Sequence, residues 1–420
     1  MRVVLFCLAA LLTTAVPGRG ATGKESTGLD VVVLPTIQYA HEDIWDKTPT
    51  ERGPATMAVA QVVRGQEVHI LVFATNYAIA ADQNAEVSYR LSFIRPDGKA
   101  GVTKAGLQLI PRGPAKDRRY VRKAAEVAVF IATKDDALGD WGVVVEATDL
   151  VGAMTVRREQ HFTVVGDEVL EEPLPPETDQ NAWFMGYHNK PVPQQLLAAI
   201  RLEAENPPAR AKPRRDAEDG GWLGFFEQVV SDNPWLLPHV IARLEKSAGR
   251  ERELLTTLLA YAKRDDRSFP EKQPAAVRDA LLTLQDESWP VPTAEPLQGA
   301  QLDVLWGRFF ASGRYEPIRA LVAVLAYLPY KDALDEYKKF ATKPAELPVE
   351  VYKSALFGAA SWSLTSNIQQ DKLVRDYCDG ILLRKELPAA EHAWLAGIFR
   401  RALEDLKKTE LTNPPAKKQD

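Results

Sequence analysis

Cysteine is nearly absent from this chain of 420 residues, which contains only Cys7 and Cys378. Cys7 lies in an apolar run over residues 3–16 that follows Arg2, and this order is typical of a secretory signal peptide over residues 1–20. Because more of the signal follows Cys7, this residue is not expected to carry a lipid anchor. Cleavage leaves Cys378 alone, which excludes an intramolecular disulfide and predicts that ordinary apolar cores stabilise the protein.

Long hydrophobic runs and an excess of positive charge are also lacking. After the signal, no apolar run approaches the roughly 20 residues of a spanning helix, so no transmembrane segment is predicted. The net charge of −5 becomes −7 when Arg2 and Arg19 leave with the signal. Nucleic-acid binding requires a concentrated basic surface, whereas the one basic stretch, residues 210–215, is followed by acids and is predicted to be a solvated loop. We expect an exported protein, periplasmic or secreted, without a nucleic-acid partner.

Catalytic and cofactor motifs are missing as well. The sequence has no Gly-x-Ser-x-Gly elbow and no glycine-rich phosphate loop, and a single mature cysteine argues against a thiol enzyme. Two acidic pairs, Asp135-Asp136 and Asp265-Asp266, lie in polar turns, where adjacency does not define a catalytic cleft. The sequence therefore predicts no catalytic residue and no cofactor.

A polar segment after the first predicted strand combines potential metal ligands with a tryptophan. His41, Glu42, Asp43 and Asp46 are all residue types that bind metals. Their spacing matches no defined site, and adjacent side chains point apart, so we predict a solvated loop without a metal. Trp45 in the same loop is a candidate for a ligand-binding surface, because burial of its ring is not assured there.

Hydrophobic and polar residues alternate in the first third of the chain. Val87, Tyr89 and Leu91 point to one face of a predicted strand, and the following Pro96-Asp97-Gly98 favours a turn. Seven such segments are predicted to be strands: 31–37, 56–63, 68–73, 85–94, 127–131, 141–147 and 154–164. This number is typical of an immunoglobulin-type β-sandwich, which we predict over residues 28–166.

The end of this region carries a more specific pattern. Gly139-Asp140-Trp141 leads into a run of valines, and Asp149 is followed by Gly152 before a last strand. The pattern resembles the closing hairpin of bacterial immunoglobulin-like domains, and the lead-in Arg64-Gly65-Gln66-Glu67 is similar to the same group. The resemblance covers about a third of the chain and implies a fold without implying an activity.

The pattern changes near residue 170. Residues 167–181 are rich in proline and glutamate and are predicted to form a semi-rigid linker. Helical periodicity follows from residue 182 to residue 410, and residues 411–420 are predicted to be a disordered tail. We therefore expect a multidomain β + α protein.

Tryptophans mark an internal repetition in the helical part. Trp183, Trp222 and Trp306 each precede an aromatic residue by four positions, which places the two rings on one helix face and favours a core role. Trp362 departs from this pattern, because Ser366 occupies the aromatic position.

A second helix with apolar residues at i, i+3, i+4 and i+7 follows three of these tryptophans, as in Val374, Tyr377, Cys378 and Ile381. The pattern predicts an all-α stack of helical hairpins, an α-solenoid-like arrangement without a standard repeat length. The order of parts resembles exported bacterial proteins with an N-terminal immunoglobulin-like β-sandwich and a C-terminal α-helical repeat region, a resemblance that implies no activity.

Two functions from different classes remain. We expect a non-enzymatic binding or scaffold protein of the bacterial cell envelope, with a protein or envelope polymer as partner, because two interaction-prone modules occur without a catalytic motif. The alternative is a carbohydrate-active enzyme, a polysaccharide lyase or hydrolase with an accessory sandwich domain. In that case Tyr187, His188 and Asn189 would be acid, base and carboxylate neutraliser, and with Trp45 they are the candidate ligand-binding residues.

Overall fold

The structure is a computed structural model that describes residues 28–50, 56–115, 121–175, 178–205, 220–284, 299–340 and 348–412. Strands occupy the first part and helices the second, which confirms the predicted change from β to α. The predicted signal peptide, the basic stretch 210–215 and the last residues of the predicted tail, 413–420, lie outside the described residues.

The N-terminal region consists of two β-sheets and one short helix. Its strands are β1 (Asp30–Thr36), β2 (Gln61–Val63), β3 (Glu67–Thr75), β4 (Asn84–Ile94), β5 (Ala100–Pro114), β6 (Arg122–Lys123), β7 (Ala128–Ile131), β8 (Gly139–Asp149) and β9 (Met154–Val165). One sheet has the order β1-β3-β6, with β7 also paired to β3, and the other has the order β2-β9-β8-β4-β5. Strand β2 runs parallel to β9, and the other pairings are antiparallel.

Both sheets contribute side chains to one apolar core. Val33 and Ile70 from the first sheet belong to the same buried cluster as Leu91 and Val145 from the second. Alternation along β4, in which buried and half-exposed residues follow one another, accounts for this arrangement.

The predicted turn before the last strand is confirmed in atomic detail. The Oδ1 atom of Asp149 accepts hydrogen bonds from the backbone N–H groups of Val151 (3.0 Å) and Gly152 (2.8 Å). Its Oδ2 atom accepts from the N–H of Ala78 at 2.6 Å. Asp149 therefore closes the hairpin and ties it to a neighbouring loop.

Two predictions in the β region are wrong, and one long strand was missed. The segment predicted as a solvated loop is the helix α1 (His41–Lys47). Residues 56–60 are not in a strand, and the N–H of Met57 bonds to the side chain of Gln38. Strand β5 was missed, because it lies at the edge of its sheet, is largely exposed and contains Pro111 and glycines, so it lacks alternation.

The C-terminal region is helical. Its α-helices within the described residues are α2 (Gln180–Gly186), α3 (Leu196–Glu205), α4 (Gly220–Asp232), α5 (Leu237–Lys246), α6 (Gly249–Ala262), α7 (Ala275–Leu282), α8 (Gly299–Ser312), α9 (Tyr315–Ala323), α10 (Ala333–Phe340), α11 (Val349–Gln370), α12 (Lys372–Arg384) and α13 (Ala389–Thr412). Among the residues described, no helix has both the length and the apolar character needed to cross a membrane.

The predicted linker contributes to the helical core. Residues Asp167–Glu171 form a 3-10 helix, and Leu170 within it is buried against the helical region. Asp179 then caps α2 by accepting hydrogen bonds from two backbone N–H groups.

The repeated tryptophan pattern corresponds to ring contacts inside the helical region. Trp183 contacts Tyr187, and Trp222 contacts Phe226, with ring centroids 5.3 Å and 4.5 Å apart. Trp306 stacks on Phe310 at 5.7 Å. The core role predicted for these pairs is confirmed.

Glycines bring α4 and α8 unusually close together. A methyl group on Gly307 would overlap the carbonyl oxygen of Gly221, and one on Gly224 would overlap that of Val304. The small residues beside Trp222 and Trp306 thus allow the two backbones to touch.

The single described cysteine is a core residue, as predicted. Cys378 on α12 is buried, and burial raises the pKa of its thiol to about 12. Its neighbours in the predicted pattern, Val374, Tyr377 and Ile381, are also buried.

Candidate functional site

The junction between the β region and the helical region collects most of the sequence-predicted site residues. Helix α1 belongs to the β region by sequence, but its Ile44 and the preceding Ala40 are part of the helical core. Acids in its first turn and Lys47 in its last turn complement the helix dipole, which favours the helix over the predicted loop.

Polar contacts fix α1 against α9 and α12. The Oδ2 atom of Asp43 accepts a hydrogen bond from the N–H of Tyr315 at 3.0 Å. The guanidinium of Arg384 donates to the carbonyl of Lys47 at 2.8 Å, and a methyl group on Gly380 would overlap the same carbonyl oxygen. The end of α1 therefore lies directly on α12.

A second contact joins the loop after β1 to residues 187–189. The Nε2 atom of Gln38 donates to the carbonyl oxygens of His188 (2.9 Å) and Asn189 (3.3 Å). The Oε1 atom of the same side chain accepts from Met57. Gln38 is 3% exposed, so it links three segments of chain from inside the junction.

A narrow recess lies at this junction, with a volume of about 10 Å³, which is room for about one water molecule. Tyr39, Tyr187, Asp232 and Asn233 are among its walls. The hydroxyl groups of Tyr39 and Tyr187 are buried without a hydrogen-bond partner. Burial raises the pKa of both phenols and of Asp232, although Arg314, 2.7 Å from Asp232, opposes the rise at the carboxyl group.

Two histidines meet beside the recess. The Nε2 atom of His41 lies 3.3 Å from Nδ1 of His69 on β3, and the Nδ1 atom of His41 is buried without a partner. Burial and the neighbouring His69 lower the pKa of His41 to about 4. Burial also lowers the pKa of His69, while Glu67 opposes that change. Both imidazoles are therefore neutral at pH 7.

His188 makes a buried contact with Asp371 within the helical region. Its Nε2 atom lies 3.1 Å from Oδ2 of Asp371, and its ring contacts that of Phe309 at 4.9 Å. Burial alone would raise the pKa of Asp371, but His188 and the N–H groups of Val374 and Leu373 outweigh burial, and the pKa is lowered. Asp371 is also the N-cap of α12.

The structure brings Tyr187, His188 and Asn189 together but not around an open cleft. Tyr187 and His188 are buried, with 4% and 2% of their surface exposed, whereas Asn189 is exposed. Trp45 lies on α1, where its half-buried ring contacts Phe73 at 5.4 Å. The four candidate residues therefore do not line a common open site.

The potential metal ligands around Trp45 point towards different partners. His41 points into the junction towards His69, while Glu42 lies 3.9 Å from Lys123 and Asp43 bonds to Tyr315. Within the described ranges no three His, Cys, Asp or Glu side chains form a group that could hold a metal ion.

Sequence reasoning missed one surface, the exposed face of α11. Trp362 is 74% exposed and Tyr352 is 48% exposed, with Ala355, Gly358 and Ala359 exposed between them. We call these five residues the α11 face. The sequence did carry a signal, because Ser366 replaces the aromatic residue that holds the other tryptophans in the core.

We expect the stability of the junction to decrease in mild acid. His41 and His69 have pKa values below those of the unfolded chain, near 6.5, so the unfolded state binds their protons first as the pH falls. Their contribution is unchanged above about pH 7 and falls as the pH drops below about 6.5, and for His41 the loss reaches about 2 kcal/mol at pH 5. Urea unfolding at pH 7 and pH 5 measures this loss.

The loss should be smaller in a variant that cannot protonate at this position. His41→Leu should flatten the change between pH 7 and pH 5, whereas His161→Gln, which alters a half-exposed histidine on β9, should follow the unaltered protein. An unchanged pH profile in His41→Leu would contradict the assignment of this effect to the junction.

Comparison with known proteins adds little to this geometry. No protein-family model and no curated protein matches the chain. A solved structure of a family 123 glycoside hydrolase from Clostridium perfringens is 12% identical, with a TM-score of 0.21, over 43% of this chain and 35% of that one. A structure named pT26-6p is 9% identical, with a TM-score of 0.17, over 80% of this chain and 49% of that one. The aligned part is less than half of either structure, and scores this low carry no argument about fold or function.

Proposed function

We propose that this chain is a non-enzymatic binding or scaffold protein of the bacterial cell envelope, exported to the periplasm or the medium, with a protein partner. The observation that carries the proposal is the α11 face, on which Trp362 is 74% exposed. Tryptophan and tyrosine are enriched among the residues that dominate binding energy at protein interfaces. An exposed tryptophan in the middle of a helix therefore favours binding.

The contacts at the junction support a scaffold function. Gln38, Asp43 and Lys47 from the β region all contact the helical region, so the α11 face is held in a fixed relation to the sheets. In this proposal Tyr187 and His188 support the architecture, because both are buried at or near that junction.

The proposal includes a finer description of the two modules. The strand order supports an immunoglobulin-like sandwich. Strands β9, β8, β4 and β5 then correspond to the sheet that is extended at its edge in variable-type domains. Consecutive helices that contact each other, such as α11 and α12, support a solenoid-like stack of hairpins.

Capture of a partner from the exported fraction of a bacterial culture tests the function. The unaltered protein, immobilised through its C-terminus, should retain a partner that Trp362→Ala loses by at least about tenfold, as expected for a central aromatic contact. Val102→Ala is the matched control, since Val102 is 71% exposed on β5 in the other region.

Two results would contradict the proposal. Equal capture by Trp362→Ala and the unaltered protein would show that the α11 face is not the binding surface. Hydrolysis or elimination products from a polysaccharide panel, lost in a Tyr187→Phe variant that remains folded, would favour the enzyme instead.

A further inference from the structure

The α11 face differs from the rest of the surface in its charge. Charged residues make up 26% of the chain, yet residues 354–370 of α11 contain none. Depletion of charge together with an exposed aromatic residue is typical of the buried centre of a protein interface. The composition of this helix therefore indicates that another surface covers it.

Gly358 has no explanation within the part of the chain that the structure describes. A methyl group at this position would meet no atom within 4 Å, and a glycine inside a helix costs about 1 kcal/mol relative to alanine. By contrast, Gly224 and Gly307 are required by the contact between α4 and α8. A glycine beside an exposed tryptophan on α11 suggests a similar close contact with a helix outside the chain.

The α11 face is complementary to itself when two copies run antiparallel. Trp362 lies one turn after Gly358, so a two-fold axis near Ala360 places each Trp362 over the hollow formed by Ala355 and Gly358 of the second copy. A parallel pair would instead place the two tryptophans against each other.

The charges at the ends of the helix fit the same antiparallel arrangement. Glu350 lies in the first turn of α11, and Lys372, which directly follows the helix, keeps 55% of its side chain exposed while it also pairs with Asp376. The two-fold axis near Ala360 brings Glu350 of one copy to the end that carries Lys372 of the other. Opposite charges thus meet at both ends of a neutral centre.

We infer that the occupant of the α11 face is a second copy of this chain, bound through an antiparallel α11–α11 contact. This inference rests on the proposed binding function and names its partner. The helix has 22 residues and is about 33 Å long, so a single helix pair buries less than the roughly 800 Å² per partner of a standard interface. We expect a reversible dimer with a Kd on the order of tens of micromolar.

Sedimentation velocity of the full chain without its signal peptide tests the dimer. The sedimentation coefficient should rise between about 2 µM and about 200 µM protein, because this range spans the expected Kd. Trp362→Glu and Gly358→Leu should remain monomeric, since the first places a charge in the contact and the second fills the hollow. Val102→Glu, at the exposed site on β5, should dimerise as the unaltered protein does. Circular dichroism establishes that each variant is folded.

Cysteine cross-linking tests the orientation. Ala359→Cys lies beside the two-fold axis and should form a disulfide-linked dimer when oxidised with diamide. Tyr352→Cys should not, because an antiparallel pair holds the two copies of this residue far apart. The unaltered protein, in which Cys378 is buried, serves as the background control.

The outcomes separate this inference from the broader function. A chain that stays monomeric at all concentrations overturns the dimer, as does a dimer unaffected by Trp362→Glu. Cross-linking through Tyr352→Cys overturns the antiparallel arrangement. If the chain is monomeric but Trp362→Ala still loses a different captured protein, the binding function stands and only the identity of the partner is wrong.

Discussion

Gly307→Ala is expected to destabilise the protein by about 3 kcal/mol or more, against a typical total stability of about 5–15 kcal/mol. The added methyl group would overlap the carbonyl oxygen of Gly221 and lie 2.7 Å from the backbone nitrogen of Phe225. Both are backbone atoms of α4, so no side-chain rotation can relieve the overlap, and the two helices must separate. Separation would loosen the rings of Trp222 and Trp306 on either side. Urea unfolding measures the change.

Gly358→Ala is the matched control for this substitution. It also replaces a helical glycine with alanine, but the new methyl group meets open space. We expect it to stabilise the monomer by up to about 1 kcal/mol, because alanine is the better helix former. The measurement belongs at low protein concentration, where self-association does not contribute. Similar effects of the two substitutions would contradict the close contact between α4 and α8.

Asp371→Ala is expected to have the largest effect among single polar substitutions, about 4 kcal/mol. The carboxylate caps α12 by accepting from the N–H groups of Leu373 (2.7 Å) and Val374 (3.0 Å), and it faces the buried ring of His188. Removing a surface cap costs about 1 kcal/mol, and leaving a buried polar group without its partner costs up to about 3 kcal/mol more. Thermal and urea unfolding should both show the loss.

Two further variants separate the cap from the contact with His188. Asp371→Asn can keep the cap but loses the negative charge, so its free energy of unfolding should lie between those of Asp371→Ala and the unaltered protein. Asp179→Ala removes only the exposed cap of α2 and should cost about 1 kcal/mol. Because the pKa of Asp371 is lowered, its stabilisation is present above about pH 4 and is lost as the pH falls through the folded pKa. An acid profile unaffected by Asp371→Asn would contradict the lowered pKa of Asp371.

Sequence periodicity predicted the order of the two regions and most of the strands. Alternation along β4 and the Asp149–Gly152 turn were readable, because strand period and turn chemistry are local properties. The helix α1 was not predicted, because its five polar residues conceal its one buried apolar residue, Ile44. Ile44 contacts helices far along the sequence, and local pattern carries no information about that contact.

The candidate site was predictable in its location more than in its role. Tyr187 and His188 were selected as acid and base from residue type, and both lie at or near one structural junction. Their burial depends on Gln38 and Asp371, which are distant in sequence, so only the assembled fold shows it. Trp362 was the opposite case, since its missing aromatic partner was visible at Ser366 but its exposure was not predicted.

The insertion of α1 into the helical core has a consequence for how the protein unfolds. Ala40 and Ile44 complete a core whose other members begin at Leu170. The change of sequence pattern near residue 170 therefore does not divide the protein into two units that unfold independently. A fragment starting after β9 would expose the surface that these two residues cover, and the carbonyl of Lys47 would no longer meet Arg384. The two regions should therefore melt in one calorimetric transition, and each should depend on the other to fold.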